Sequence, residues 1–408
     1  MIFDISAFIS KNITHREQSL FAPDLLKNHE TMVREIKGKS ALVIGGAGTI
    51  GSSYIKALLR YEPAKLIVVD ISENGLTELT RDLRSSFGVK VPDVYKTYPV
   101  NFGDQVFELI LRNEGPFEIV ANFAAHKHVR SEKDEYSITA LLENNVIKAE
   151  KLLNLLTSSP PHHFFCVSTD KAANPVNIMG ASKKIMEEVI MAYSRSFPIT
   201  TARFANVAFS QGSLPDGFLF RMMKQQPLSA PSDVKRFFVS PGESGEICLM
   251  ACILGQSGEI FFPKLAEESM MTFSDIAVAF LQDQGFEPVV CASEEEARAF
   301  NKNRDMGPVT SHLTPYPVYF FKSDTSGEKS YEEFSTEGED VDLNMYESLG
   351  VIKNAPRRTI QEIRQLISLL EQTLSKPGIS KPEIVKVLSR LIPNFEHIET
   401  GKGLDQKM

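Results

Sequence analysis

Tryptophan is absent from the 408 residues, cysteine occurs four times, and basic residues are in deficit. No run reaches the ~18 apolar residues that a membrane helix needs, so a span is not expected. Cys166, Cys248, Cys252 and Cys291 form no CxxC pair and no Cys/His cluster of zinc spacing. No metal site is therefore expected. Cys248 and Cys252 stand four apart in an apolar helical stretch, where they should share a core face. Lys plus Arg is 44 against 52 Asp plus Glu, a net charge of −8. That balance argues against general nucleic-acid binding, while leaving room for a local basic pocket. The opening MIFDISAFISKNITHREQ lacks the basic and apolar regions of a signal peptide. With the cysteine usage, this fits a reducing cytosol, so a cytoplasmic location is expected.

What is present suits a globular chain. Hydrophobic residues are 42%, charged 24% and aromatic 9%. At ~100–200 residues per domain, two domains or three small ones are expected. A β/α alternation begins at Ser40. Apolar runs SALVI (40–44), KLIVVD (65–70), VYKTYPV (94–100), EIVANFA (118–124), HFFCVS (163–168) and ITTARF (199–204) alternate with helical patterns. This predicts an α/β fold, a doubly wound parallel Rossmann sheet covered on both faces. The expected layout is an N-terminal helical arm (1–38), a dinucleotide-binding domain (39–235), a smaller α/β substrate lobe interleaved with it (236–350), and a helical extension (351–408).

Directly after the first strand, IGGAGTIGSSYIKALL supplies Gly45, Gly48 and Gly51 at the opening of a helix. Glycines permit a tight turn and close approach of a pyrophosphate, with Thr49, Ile50 and Gly51 offering helix N-terminal N–H groups. Asp70 closes the second strand, nineteen residues past Gly51. An acidic group there accepts hydrogen bonds from ribose hydroxyls and repels a 2′-phosphate, favouring NAD over NADP. No Lys or Arg follows in Asp70-Ile71-Ser72-Glu73, which supports NAD and places Ser72 near the ribose. Asn101 and Phe102, after the third strand, are candidate adenine neighbours. The fifth strand ends at Ser168, so Thr169, Asp170 and Lys171 fall at the carboxyl edge of the sheet, where such folds bind ligands. Met179 and Lys183 enter the next helix on one face.

The motifs GGAGTIG, VVDISE, AAHKHV, ENNV, STDKAANPVNIMGASK, RFANVAFSQGSLP, KRFFVS and SGEKSYEE occur in order over roughly residues 20–335. On them the chain resembles an extended short-chain dehydrogenase/reductase, specifically a nucleotide-sugar 4,6-dehydratase of the polysaccharide biosynthesis and protein glycosylation type. Such enzymes typically act on UDP-N-acetylglucosamine. Two departures stand out. Met179 occupies the place of the Tyr in the common YxxxK pair. In Arg203-Phe204-Ala205-Asn206-Val207-Ala208-Phe209-Ser210-Gln211-Gly212, Ala205, Phe209 and Gln211 replace Gly, Gly and Arg.

The resemblance implies oxidation at sugar C4, loss of water across C5–C6 and hydride return to C6. Lys171 is then the C5 base and Asp170 the acid for the departing hydroxyl, with Thr169 orienting it. Because Met179 carries no transferable proton, the 4-OH proton goes to Asp170, to water or to the substrate itself. Lys183 serves the nicotinamide ribose. Ala124, Ala125 and the following His126 border the cofactor, and Lys127 or His128 reaches the sugar. Asn145 fixes nearby backbone. Asn206, Ser213, Arg236 and Glu328 are expected on the substrate side, Arg236 being suited to a diphosphate. The implied partners are a nucleotide-diphosphate sugar and further copies of the chain in a homo-oligomer, with no nucleic acid and no membrane. Longer relatives of the resembled type carry N-terminal membrane helices; none reads from this sequence, so a soluble form is expected. The alternatives on this fold are a nucleotide-sugar epimerase or reductase, and a non-catalytic cofactor-binding scaffold.

Overall fold

The computed structural model describes residues 3–302, 314–329, 331 and 333–401. Ser330 and Glu332 of the SGEKSYEE motif and residues 402–408 of the extension lie outside them. The large sheet contains β1 (Ser40–Ile44), β2 (Lys65–Asp70), β3 (Val94–Pro99), β4 (Ile119–Asn122), β5 (His163–Val167), β6 (Ile199–Ala202), β7 (Ile260–Pro263), β8 (Val341–Asp342) and β9 (Leu349–Ile352). Their order is β3-β2-β1-β4-β5-β6-β7-β9-β8. The seven strands from β3 to β7 are parallel, and β9 and β8 add antiparallel pairs at the far edge. The crossing from one half to the other lies between β1 and β4, which opens a ligand crevice at their carboxyl ends.

Strand side chains alternate between two separate cores. Leu42, Ile44, Ile67 and Val69 face one core, packed with helices Gln105–Glu114, Glu135–Leu142, Lys148–Leu156 and Ile178–Tyr193. Ala41, Val43, Leu66 and Val68 face the other, with helices Thr49–Leu59, Glu73–Ser85 and Pro241–Leu254. Buried on both faces, β1 and β2 therefore read as continuous apolar runs.

A third core belongs to a smaller parallel sheet of Phe286–Val290, Thr314–Phe321 and Leu228–Pro231, with helices Leu214–Met223 and Phe273–Asp283. A cut at residue 235 therefore separates neither sheet from the other. Leu228–Pro231 lies before the cut yet joins the small sheet, while β7 and β9 lie after it yet complete the large one. Apolar runs identify strands but carry no label of the sheet they enter.

The N-terminal arm is divided between the two bodies. Phe8, Ile9 and Ile13 join the small-lobe core, whereas Phe21, Met32 and Ile36 pack beneath the large sheet. Asp24 is buried and accepts the Glu347 and Ser348 N–H groups at 2.8 Å each. At the other end, helices Ile360–Leu374 and Lys381–Leu391 cover the core beside Ile178–Tyr193.

Phe209, which stands where the resembled family has glycine, has φ +52°. This left-handed backbone is costly for an aromatic residue. Its ring lies 5.7 Å from Phe8 and 6.0 Å from Phe280, inside the small-lobe core. Phe209→Gly would relieve ~1–2 kcal/mol of backbone cost but lose the ~3–5 kcal/mol of a buried ring. A net loss of about 2 kcal/mol is expected, read as a lower urea midpoint.

Candidate active site

The glycine loop is shaped by contacts that a side chain would prevent. Gly45 has φ +74°, and a Cβ there would sit 2.5 Å from the Ala124 backbone nitrogen. At Gly51 a Cβ would sit 2.3 Å from the Gly45 carbonyl oxygen. A Cβ at Gly48 would meet nothing closer than the Gly45 carbonyl oxygen at 3.7 Å, so its side of the loop is open. Gly48 is the N-cap of Thr49–Leu59 and supplies no side-chain cap. The first N–H groups of that helix are thus left for an anion. The Asp70 carboxylate accepts the Ala47 N–H at 3.0 Å and the Ser72 N–H at 2.9 Å, tying the loop to the end of β2. These are the features an adenine dinucleotide's pyrophosphate and ribose require, and the residues present fit such a group.

Other predicted cofactor neighbours have structural tasks. The Ser72 hydroxyl caps helix Glu73–Ser85 by accepting the Gly75 N–H at 3.1 Å. Asn101 Oδ1 accepts the Gly103 N–H at 2.9 Å and lies 3.3 Å from Lys148 Nζ. The Phe102 ring is buried in the core against Phe107, so it is not brought to the crevice surface. Ala124 N–H donates to Asn122 Oδ1 at 3.0 Å. Asn145 holds the next turn: Oδ1 accepts the His126 N–H at 2.8 Å, and Nδ2 donates to the His126 carbonyl at 2.9 Å. Burial pushes the His126 imidazole down, with Lys148 acting in the same direction.

Beyond β5, one carboxylate oxygen organises the triplet. Asp170 Oδ1 accepts the Thr169 hydroxyl at 2.7 Å, the Lys171 N–H at 2.9 Å and Lys171 Nζ at 3.1 Å. Asp170 is buried, and Thr169 and Lys171 are half-buried. Asn177 caps the following helix through the Gly180 N–H at 2.7 Å. On that helix Met179 is buried, and Lys183 Nζ donates to the Val167 carbonyl at 3.0 Å. Burial pushes the Lys183 ammonium down, and nearby Cys166 and Glu187 oppose it.

The substrate-side candidates fall into two groups. Lys127 Nζ donates to the Gln211 carbonyl at 2.8 Å, and the His128 ring lies beside Gly212. Gln211 N–H in turn reaches the Thr49 hydroxyl at 2.9 Å. Glycine loop, β4 turn and the 211–213 segment thus converge. Ser213 caps helix Leu214–Met223, and Asn206 lies on a two-residue strand paired with Phe238–Val239. In the second group, Arg236 is buried and donates to the Lys329 carbonyl at 3.0 Å, 3.5 Å from Glu328 Oε1.

A buried charge network behind this site has no counterpart in the sequence reading. Arg203 binds Glu187 through Nε at 2.9 Å and Nη2 at 2.8 Å, and Glu339 through both Nη atoms at 2.9 Å. Glu187 also accepts the Ser168 hydroxyl at 2.6 Å. Burial raises the Glu187 carboxyl, but Arg203 prevails and holds it below its usual range. The available signal was charge in apolar company: Arg203 ends ITTAR, and Glu187 interrupts IMEEVIMAY.

Among the described residues no His/Cys/Asp/Glu cluster could hold a metal, and no helix is long and apolar enough to cross a membrane. Sheet order and glycine loop define a Rossmann-type fold of the class shared by nucleotide-sugar dehydratases and epimerases. The chain belongs to the polysaccharide biosynthesis protein family, whose model matches residues 41–300. It is 28% identical to the uncharacterized membrane protein MJ1061 of Methanocaldococcus jannaschii, over 78% of this chain and 86% of that protein. It is 27% identical to the capsular polysaccharide biosynthesis protein CapD of Staphylococcus aureus, over 88% of this chain but only 54% of CapD. An inverting UDP-N-acetylglucosamine 4,6-dehydratase of Campylobacter jejuni is 26% identical over 68% of this chain and 80% of its own. The fold is shared with DesIV, a dTDP-glucose 4,6-dehydratase of Streptomyces venezuelae solved with NAD and TYD bound. The two align with a TM-score of 0.54 and 17% identity, over 84% of this chain and 99% of DesIV.

Proposed function

We propose that the chain is an NAD-dependent nucleotide-sugar 4,6-dehydratase acting on UDP-N-acetylglucosamine. The observation that carries the reading is the Thr169-Asp170-Lys171 cluster facing a helix whose expected Tyr is the proton-free Met179. Epimerases on this fold usually use that Tyr, whereas an acid and a base side by side suit elimination. The Campylobacter relative supports the substrate class.

A nicotinamide cofactor, when bound, accepts hydride from C4 and returns it at C6. Gly45, Gly48, Thr49, Ile50 and Gly51 would hold its pyrophosphate, and Asp70 with Ser72 its adenosine ribose, near Asn101, Ala124 and Ala125. Lys183 holds the nicotinamide ribose. Asp170 receives the C4 hydroxyl proton and passes it to the departing C6 hydroxyl, releasing water. Lys171, as the free amine, takes the C5 proton, exchanges it with solvent and then delivers a proton to C5, so both residues end as they began. Protonation of Asp170 also removes the negative charge that favours an ammonium at Lys171. Lys127, His128, Asn206, Ser213, Arg236 and Glu328 bind the sugar and diphosphate. Incubation with UDP-N-acetylglucosamine should give a sugar nucleotide lighter by one water. A product of unchanged mass inverted at C4 contradicts the reading.

A further inference from the structure

We propose that residues 394–400 are a positioning strap of the candidate active site. They fix the start of helix Ile178–Tyr193 and bind it to the 324–329 loop. The functional half of the proposal rests on the roles proposed for Thr169, Asp170, Lys171 and Lys183.

The strap lies along the segment that joins Lys171 to Met179. Glu396 N–H donates to the Pro175 carbonyl at 3.3 Å, and Ile398 N–H to the Val176 carbonyl at 3.0 Å. Asn394 Nδ2 reaches the Ala173 carbonyl at 3.2 Å. Between these contacts, His397 Nε2 lies 3.1 Å from Glu132 Oε2. The other Glu132 oxygen accepts the Ile178 N–H at 2.5 Å and the Met179 N–H at 3.3 Å. Glu132 is only 6% exposed, with Lys381 Nζ 3.8 Å away. A carboxylate borrowed from another segment thus satisfies two N–H groups of the helix that carries Met179 and Lys183. His397 pins that carboxylate from behind.

The strap's far end grips the other wall. Thr400 Oγ1 donates to the Asp324 carbonyl at 2.8 Å, and the Ser326 hydroxyl to Glu399 at 2.7 Å. The same loop meets the helix cap directly, since Asn177 Nδ2 donates to the Gly327 carbonyl at 2.7 Å. Gly327 has φ +69°, and a Cβ there would come within 2.5 Å of the Asn177 Cβ. Two residues further on, the loop holds Arg236. Strap, loop and helix start therefore close a polar bracket around the segment between Lys171 and Met179. Phe395 is the strap's one buried apolar side chain and belongs to the core beside helix Ile178–Tyr193, so the His397 variants, which leave it in place, read the bracket apart from the core.

The test uses the full chain and its His397→Ala, His397→Gln and Glu132→Gln variants, with a chain ending at Pro393 as a second route. Hydrogen exchange reads the bracket without reference to activity. His397→Ala and the shortened chain should speed amide exchange over 173–181 by about tenfold, leaving β5 amides unchanged. His397→Gln, which can still donate to Glu132, should restore protection, and Glu132→Gln should loosen only the helix start. With UDP-N-acetylglucosamine, kcat should fall about tenfold in His397→Ala while nucleotide affinity stays within twofold. Unchanged exchange over 173–181 in both the His397→Ala and the shortened chain would overturn the strap. If the unaltered protein does not turn over UDP-N-acetylglucosamine but the exchange effect appears, the functional reading fails and the strap stands.

Discussion

Lys171→Ala is expected to lower formation of the 4-keto-6-deoxy sugar by a factor of about 10²–10⁴. The variant removes the amine that donates to Asp170 Oδ1 at 3.1 Å. Its side chain is 17% exposed and outside the three cores, so the fold should survive. Nucleotide binding should change little, because the glycine loop and Asp70 are built from other strands. The signature is a loss in kcat with KM nearly unchanged, as for an interaction made in the transition state. Loss of C5 exchange with solvent should accompany it. Turnover near the unaltered rate would remove Lys171 from the mechanism.

Arg203→Ala is expected to cost about 3–5 kcal/mol of stability, because it strands two carboxylates in the interior. Glu187 and Glu339 both contact the guanidinium and are 3% and 7% exposed in their side chains. The cations left near Glu187 compensate little, Lys184 Nζ standing 3.9 Å away and Lys183 Nζ being bound to the Val167 carbonyl. The double variant Arg203→Met, Glu187→Met should lose less than the single one, since it removes the stranded charge as well. Urea unfolding measures both. The pH dependence has a definite sign. The Glu187 carboxyl is held below its ordinary value in the folded chain, so its contribution is present above the ordinary carboxylate range and is lost as pH falls through the lower folded value.

Much of the large sheet was legible because parallel strands are buried on both faces and read as unbroken apolar runs. SALVI and KLIVVD coincide with β1 and β2 to the residue. The glycine loop and Asp70 were legible because backbone approach and an acidic strand end have few other uses together. Side-chain tasks within the site were not. Ser72 and Ser213 carry hydroxyls suited to ligands, yet in this chain they cap helices. Phe102 follows a strand end but turns into the core, where its ring meets Phe107 edge-on at 6.5 Å. Arg203 with Glu187, and Glu132 with His397, are pairs brought together only by tertiary folding, 16 and 265 residues apart. No local pattern announces a partner at such a distance. The same holds for the placing of Leu228–Pro231 and β7 in different sheets.

The central claim, that this chain removes water across C5–C6 of a nucleotide sugar, is tested most directly by isotope. The protein is incubated with UDP-N-acetylglucosamine in D2O, and the product is followed by NMR and mass spectrometry. The account predicts a 4-keto-6-deoxy product that has lost one water and carries deuterium at C5. A C4 epimer that has lost no water, with protium retained at C5, would contradict it.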